Sequence, residues 1–76
     1  MELDGIKMLA MGATIGIGTV FPALAIGAIG KAALEGVGRN PEASSKIQGL
    51  AIIITAFAEA LAIYALVTAL IIGFVL

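Results

Sequence analysis

The sequence predicts an all-α membrane protein built as a hairpin of two transmembrane helices. Three observations carry this. Met8 to Gly30 runs 23 residues without a charge. Ile47 to Leu76 runs 30 residues with one charge, Glu59. Between them, Lys31, Glu35, Arg39, Glu42 and Lys46 gather in a short polar segment. A helix needs about 20 apolar residues to cross a hydrocarbon core of about 30 Å. The 76 residues therefore make two spans and a connection, read as a single domain. The helices are expected at about 6–37 and 42–75, with a polar loop at about 38–41. Composition agrees: 62% of residues are hydrophobic and 12% charged, against about 25% charged in soluble domains.

The first span is not read as a cleaved signal sequence. Met1–Lys7 holds Glu2 and Asp4 against one lysine, and the apolar run exceeds the 7–15 residues of a signal core. Within it, Gly5, Gly12, Gly16, Ala23, Gly27 and Gly30 are spaced to share one helical stripe. Small residues let backbones approach closely in lipid, where van der Waals packing replaces the hydrophobic drive. Gly12, Gly16, Ala23, Gly27 and Gly30 are the candidate packing positions, and oligomerisation is expected. Pro22 interrupts the span by removing one helical hydrogen bond and crowding the Gly18 carbonyl. It predicts either a kink or a local opening.

The connection follows from its residues. Gly36 and Gly38 are expected to end the first helix. Asn40 suits an N-cap and Pro41 the first helical position. Glu42 then falls in the first turn, where the helix dipole favours an anion. Three of the four basic residues lie in this segment, so the loop is expected in the cytoplasm and both termini outside. Folding the chain about the Asn40/Pro41 bond places Glu59 near the depth of Pro22.

The second span is alanine-rich around Glu59, with Ala56, Ala58, Ala60 and Ala62. A charge at mid-bilayer costs about 2.5–3.5 kcal/mol on insertion scales and marks a functional site by default. Cysteine and histidine are absent, so thiolate and imidazole metal sites are excluded. No metal and no cofactor is expected. The net charge of −1 does not point to nucleic acid. Glu59 is left as the titratable group of the membrane interior, a carrier of an ion or a proton. Tyr64 is too deep for an interfacial belt, and a buried phenol needs a hydrogen-bond partner. Glu59 is the nearest strong one.

The glycine-rich first span, Lys31-Ala-Ala-Leu-Glu-Gly36, the turn Arg39-Asn-Pro-Glu42 and Ala58-Glu-Ala-Leu-Ala-Ile-Tyr64 together resemble the c subunit, the ring proteolipid, of the F-type ATP synthase. The resemblance covers essentially the whole chain. It implies a homo-oligomeric ring, first helices inside and second helices outside, in a bacterial plasma membrane and in contact with its lipids. It implies that Glu59 takes a proton from one half-channel of the stator's membrane-embedded partner, the a subunit, and releases it to the other. The turning ring then drives the central stalk, so the chain is a non-catalytic part of an ATP-making complex. Tyr64 and the backbone carbonyl of Phe57 are implied as hydrogen-bond partners of Glu59. Arg39, Asn40 and Pro41 are implied as the loop that touches the stalk subunits gamma and epsilon.

Two positions depart from the usual pattern. Asn40 stands where the loop usually has Gln. Thr19-Val-Phe-Pro-Ala-Leu-Ala-Ile26 interrupts an otherwise alternating glycine run, so the inner-helix spacing is expected to differ. Sodium-binding relatives carry oxygen ligands at the positions of Ile26, Ala60 and Leu61. All three are apolar here, which favours protons as the transported ion. Pro22 coincides with a proline of the sodium types and is a minor contrary signal. The competing readings are a V- or A-type ATPase proteolipid, a sodium-coupled ring subunit and a small two-span pore-former. Most V- and A-type proteolipids are duplicated four-span chains, and a pore-former has no need of an isolated mid-span carboxyl.

Overall fold

A computed structural model describes residues 2–76. The chain is a long antiparallel hairpin with Cα extents of 58 × 18 × 8 Å. Its first arm is α1 (Leu3–Gly18) and α2 (Val20–Arg39). A 3-10 turn at Pro41–Ala43 leads into the second arm, α3 (Ser44–Phe74). The arms are 37 and 34 residues long. Each exceeds the length needed to cross about 30 Å of hydrocarbon, so the hairpin projects beyond the bilayer.

Pro22 and Thr19 explain the break in the first arm. Pro22 has no N–H to give to the Gly18 carbonyl. The ladder resumes on both sides: Thr19 N–H donates to the Ile15 carbonyl at 3.1 Å and Ala23 N–H to the Thr19 carbonyl at 3.0 Å. The Thr19 hydroxyl also donates to the Ile15 carbonyl, at 2.8 Å, a back-bond that often bends helices. The interruption is one residue long, so the arm runs on through it.

Three close approaches join the arms. A Cβ built on Gly18 would stand 2.7 Å from the Ala65 Cβ. One on Gly36 would stand 3.2 Å from Ile47 Cδ1, and one on Gly73 would overlap the Met11 side chain. At Gly18 the neighbour is a Cβ that cannot turn aside, so glycine there lets the arms touch; at Gly36 and Gly73 the neighbour is the end of a flexible side chain. By contrast, a Cβ on Gly12, Gly16, Gly27 or Gly30 would meet nothing within 4 Å. That stripe is not the seam of the hairpin.

The turn differs from expectation in three respects. Gly36 and Gly38 stay helical, because α2 runs on to Arg39. No described residue has a positive φ, so the left-handed glycine cap is not used. Gly36 serves close packing on Ile47 instead. Asn40 precedes Pro41, but its side chain makes no capping hydrogen bond. Its φ of −142° and ψ of 78° lie off the usual N-cap conformation. Its backbone does the joining: Asn40 N–H donates to the Gly36 carbonyl at 2.9 Å, and its own carbonyl accepts from Ala43 N–H at 3.0 Å. The extra 3-10 turn also moves the fold axis past Pro41. Paired residues at the three close approaches have numbers that sum to 83 or 84, where a fold about the Asn40/Pro41 bond implies 81. Glu59 therefore lies level with Leu24 and Ala25, not with Pro22.

Almost nothing is buried. Pro22 and Ala69 are the buried residues among those described. Phe21 is 73% exposed and Phe57 72%. A chain this apolar and this uncovered needs lipid or other protein on its faces.

Candidate functional site

Glu59 lies 15 residues from either end of α3, about 22 Å from each at 1.5 Å per residue. The alanines around it, Ala56, Ala58, Ala60 and Ala62, keep that stretch thin while the backbone stays helical. Glu59 is exposed on the hairpin surface. It closes one end of a groove of about 610 Å³ that runs between α2 and α3 toward the turn. The α2 wall is apolar and includes Ile29, Gly30 and Ala33. The α3 wall carries Ser44, Gln48, Thr55 and Glu59. These four are spaced by 4, 7 and 4 residues, which holds them on one helical face. Ser44, Gln48 and Thr55 are absent from the site expected from sequence. Their spacing from Glu59 is the signal that could have found them.

The other site candidates fall elsewhere. Tyr64 is 66% exposed and lies five residues after Glu59, about 140° around the helix. Side-chain hydrogen bonds among the described residues come from the Thr19 and Thr68 hydroxyls. Glu59 and Tyr64 do not bond to one another within the hairpin. The Phe57 carbonyl belongs to the body of α3, and its ring points outward. Arg39, Asn40 and Pro41 are all exposed at the hairpin tip, about 27 Å along α3 from Glu59. Ala23 is exposed and Gly30 half-buried at the groove.

The arrangement suits one kind of chemistry. Glu59 has no histidine, cysteine or second acid beside it on this face. No group of three or more acidic, histidine or cysteine side chains that could hold a metal occurs among the described residues. A lone carboxyl on an apolar helix can take up and release a cation.

Comparison with known proteins agrees with this setting. The profile of the family described as the ATP synthase C subunit matches residues 9–72. The ATP synthase c subunit of Dehalococcoides mccartyi is 45% identical over 75 residues, 99% of both chains. That of Chloroflexus aurantiacus is 39% identical over 72 residues, 95% of both chains. That of Prochlorococcus marinus is 42% identical over 68 residues, covering 90% of this chain and 84% of the relative. With the match running from the first arm through the turn to the end of the second, this two-span membrane hairpin belongs to the ATP synthase c subunit family.

Proposed function

We propose that the chain is the proton-translocating subunit of the ATP synthase rotor ring, with Glu59 as the proton carrier. The observation that carries this is the isolation of Glu59. It is the one charge between Ile47 and Leu76 and stands on an exposed face midway along α3. A carboxyl in lipid is disfavoured in its charged form, and a nearby cation favours that form. A carrier that alternates between lipid and a cationic site on the stator's a subunit changes protonation by position. Each charge that crosses gains about 2.3 kcal/mol per 100 mV, and rotation of the ring is the work obtained. The chain itself catalyses no bond change and needs no resident cofactor.

The remaining parts follow by place. The hairpin tip, with Arg39, Asn40 and Pro41 exposed, is the surface for the stalk subunits gamma and epsilon. The basic residues near it set that end in the cytoplasm of a bacterium and the termini outside. Tyr64, and the Phe57 carbonyl of an adjacent copy, complete the hydrogen bonding of a protonated Glu59. The open faces at Gly12, Gly16, Gly27 and Gly30 and at exposed Ala23 are where copies pack. Protons are the ion, because Ile26, Ala60 and Leu61 offer a metal cation no side-chain oxygen.

Glu59→Gln tests the reading. The amide is nearly isosteric with the protonated acid, so insertion and assembly should survive. It cannot release a proton, so proton-driven ATP synthesis should be lost. Synthesis at wild-type rate in vesicles built wholly from the variant would overturn the assignment.

A further inference from the structure

In an α-helix each Cα–Cβ bond tilts toward the N-terminus, so a long side chain lies over the turn before it. Glu59 therefore leans over Thr55 and Ala56. Both line the same groove as Glu59. Residues four apart on a helix have Cβ atoms about 5–6 Å apart, within reach of a hydroxyl-to-carboxylate hydrogen bond.

The threonine hydroxyls are not all in the same state. Thr19 donates to the Ile15 carbonyl and Thr68 to the Tyr64 carbonyl, each at 2.8 Å and each four residues back. Those protons are committed to the backbone. Among the described residues Thr55 makes neither such a bond nor one to Glu59, and Thr14 is likewise uncommitted; of these two, Thr55 is the one that shares a groove with a carboxyl. The opposite wall of the groove is Ile29, Gly30, Ala33, Leu34 and Val37, which supplies neither a charge nor a side-chain donor. Gln48 is 11 residues from Glu59, about 16 Å along the helix, and Ser44 is farther. Thr55 is the one side-chain donor on this face within reach of the carboxyl.

We propose that Thr55 is a positioning residue for Glu59, its hydroxyl donating to the carboxylate and holding it against α3 in the groove. This rests on the ion-carrier reading of Glu59. An ionised acceptor makes a hydrogen bond roughly twice as strong as a neutral one. The Thr55 hydroxyl thus favours the ionised carboxylate over the acid and fixes the direction in which the acid presents its proton.

The test is labelling of Glu59 by a hydrophobic carbodiimide, which needs the protonated acid, followed against pH in membranes that bear the assembled complex. The variants are Thr55→Ser, which keeps the hydroxyl, and Thr55→Val and Thr55→Ala, which remove it at two different volumes. Thr55→Ser should give the wild-type curve. Thr55→Val and Thr55→Ala should both move it to higher pH by about one unit, the size of one hydrogen bond. If packing rather than bonding prevents one hydroxyl-free variant from assembling, the other still gives the reading. Hydroxyl-free curves that superimpose on wild type, or a Thr55→Ser curve displaced as far as theirs, would overturn the proposal and leave the carrier reading intact. Failure of the wild-type chain to label at Glu59 would overturn both.

Discussion

At the scale of single residues, the chain sets one carboxyl against an apolar background. The other acids, Glu2, Asp4, Glu35 and Glu42, lie outside the two charge-poor stretches. Chemistry that selects for an acid in apolar surroundings should therefore find Glu59 alone. A hydrophobic carbodiimide is expected to label Glu59 in preference to every other acid, with labelling falling as pH rises. Peptide mapping checks this, and label recovered mainly from the turn or the N-terminal acids would contradict it. The same reaction reports the ion. Sodium takes several oxygen ligands, and Ile26, Ala60 and Leu61 supply none. Sodium chloride should slow labelling at fixed pH no more than potassium chloride does. Strong protection at millimolar sodium would reveal further ligands, with the Thr55 hydroxyl the first to examine, and would change the coupling ion to sodium.

At the scale of elements, glycine has two separate uses. Gly18, Gly36 and Gly73 join the arms, and a Cβ on Gly18 would press on the Ala65 Cβ at 2.7 Å. Neither atom belongs to a flexible side chain, so the backbones would have to part. Overpacking of this kind costs about 1–3 kcal/mol. Gly18→Ala should therefore loosen the hairpin. Because the chain has no cysteine, a cross-link between Met11→Cys and Gly73→Cys can report the seam, and its yield should fall when Gly18→Ala is added. Gly12→Ala should leave that yield unchanged, since a Cβ there meets nothing within the hairpin. Equal loss in both would show that the seam is misplaced. Pro22 belongs to this scale too. Its missing N–H falls at the one-residue break at Thr19, about 7–9 Å along the axis from the level of Glu59.

At the scale of the whole molecule, a hairpin 8 Å thick by its Cα atoms with two buried residues among those described has no core of its own. Copies packed side by side supply what is missing, and the family to which the chain belongs forms rings. Gly12→Val combined with Gly16→Val should weaken the oligomer while keeping the Met11–Gly73 cross-link. Native mass measurement of the detergent-extracted oligomer checks the first half, and cross-link yield the second. An oligomer of undiminished stability would place the copy-to-copy contact on another face. A top view of the purified wild-type oligomer should show a closed ring.

Much of this was legible from composition and period. Two charge-poor stretches of 23 and 30 residues admit few structures in lipid, because backbone groups there must be satisfied within a helix. The short polar connection makes the two helices antiparallel. The cost of a mid-span charge makes Glu59 the candidate site from the sequence alone. These are local or one-dimensional properties, and a sequence carries them directly. The position of the turn was not legible to the residue. Asn40 and Pro41 suited a side-chain cap, yet the backbone made a 3-10 turn, and the register of the arms moved by two to three residues. Which glycines join the arms was not legible either. Gly12 and Gly16 share a small-residue stripe but face open space, whereas Gly18, Gly36 and Gly73 make the contacts. Helical period groups residues on a face without saying what that face meets. Only the docking of one arm on the other chose the seam and cut the groove that Thr55 and Glu59 share.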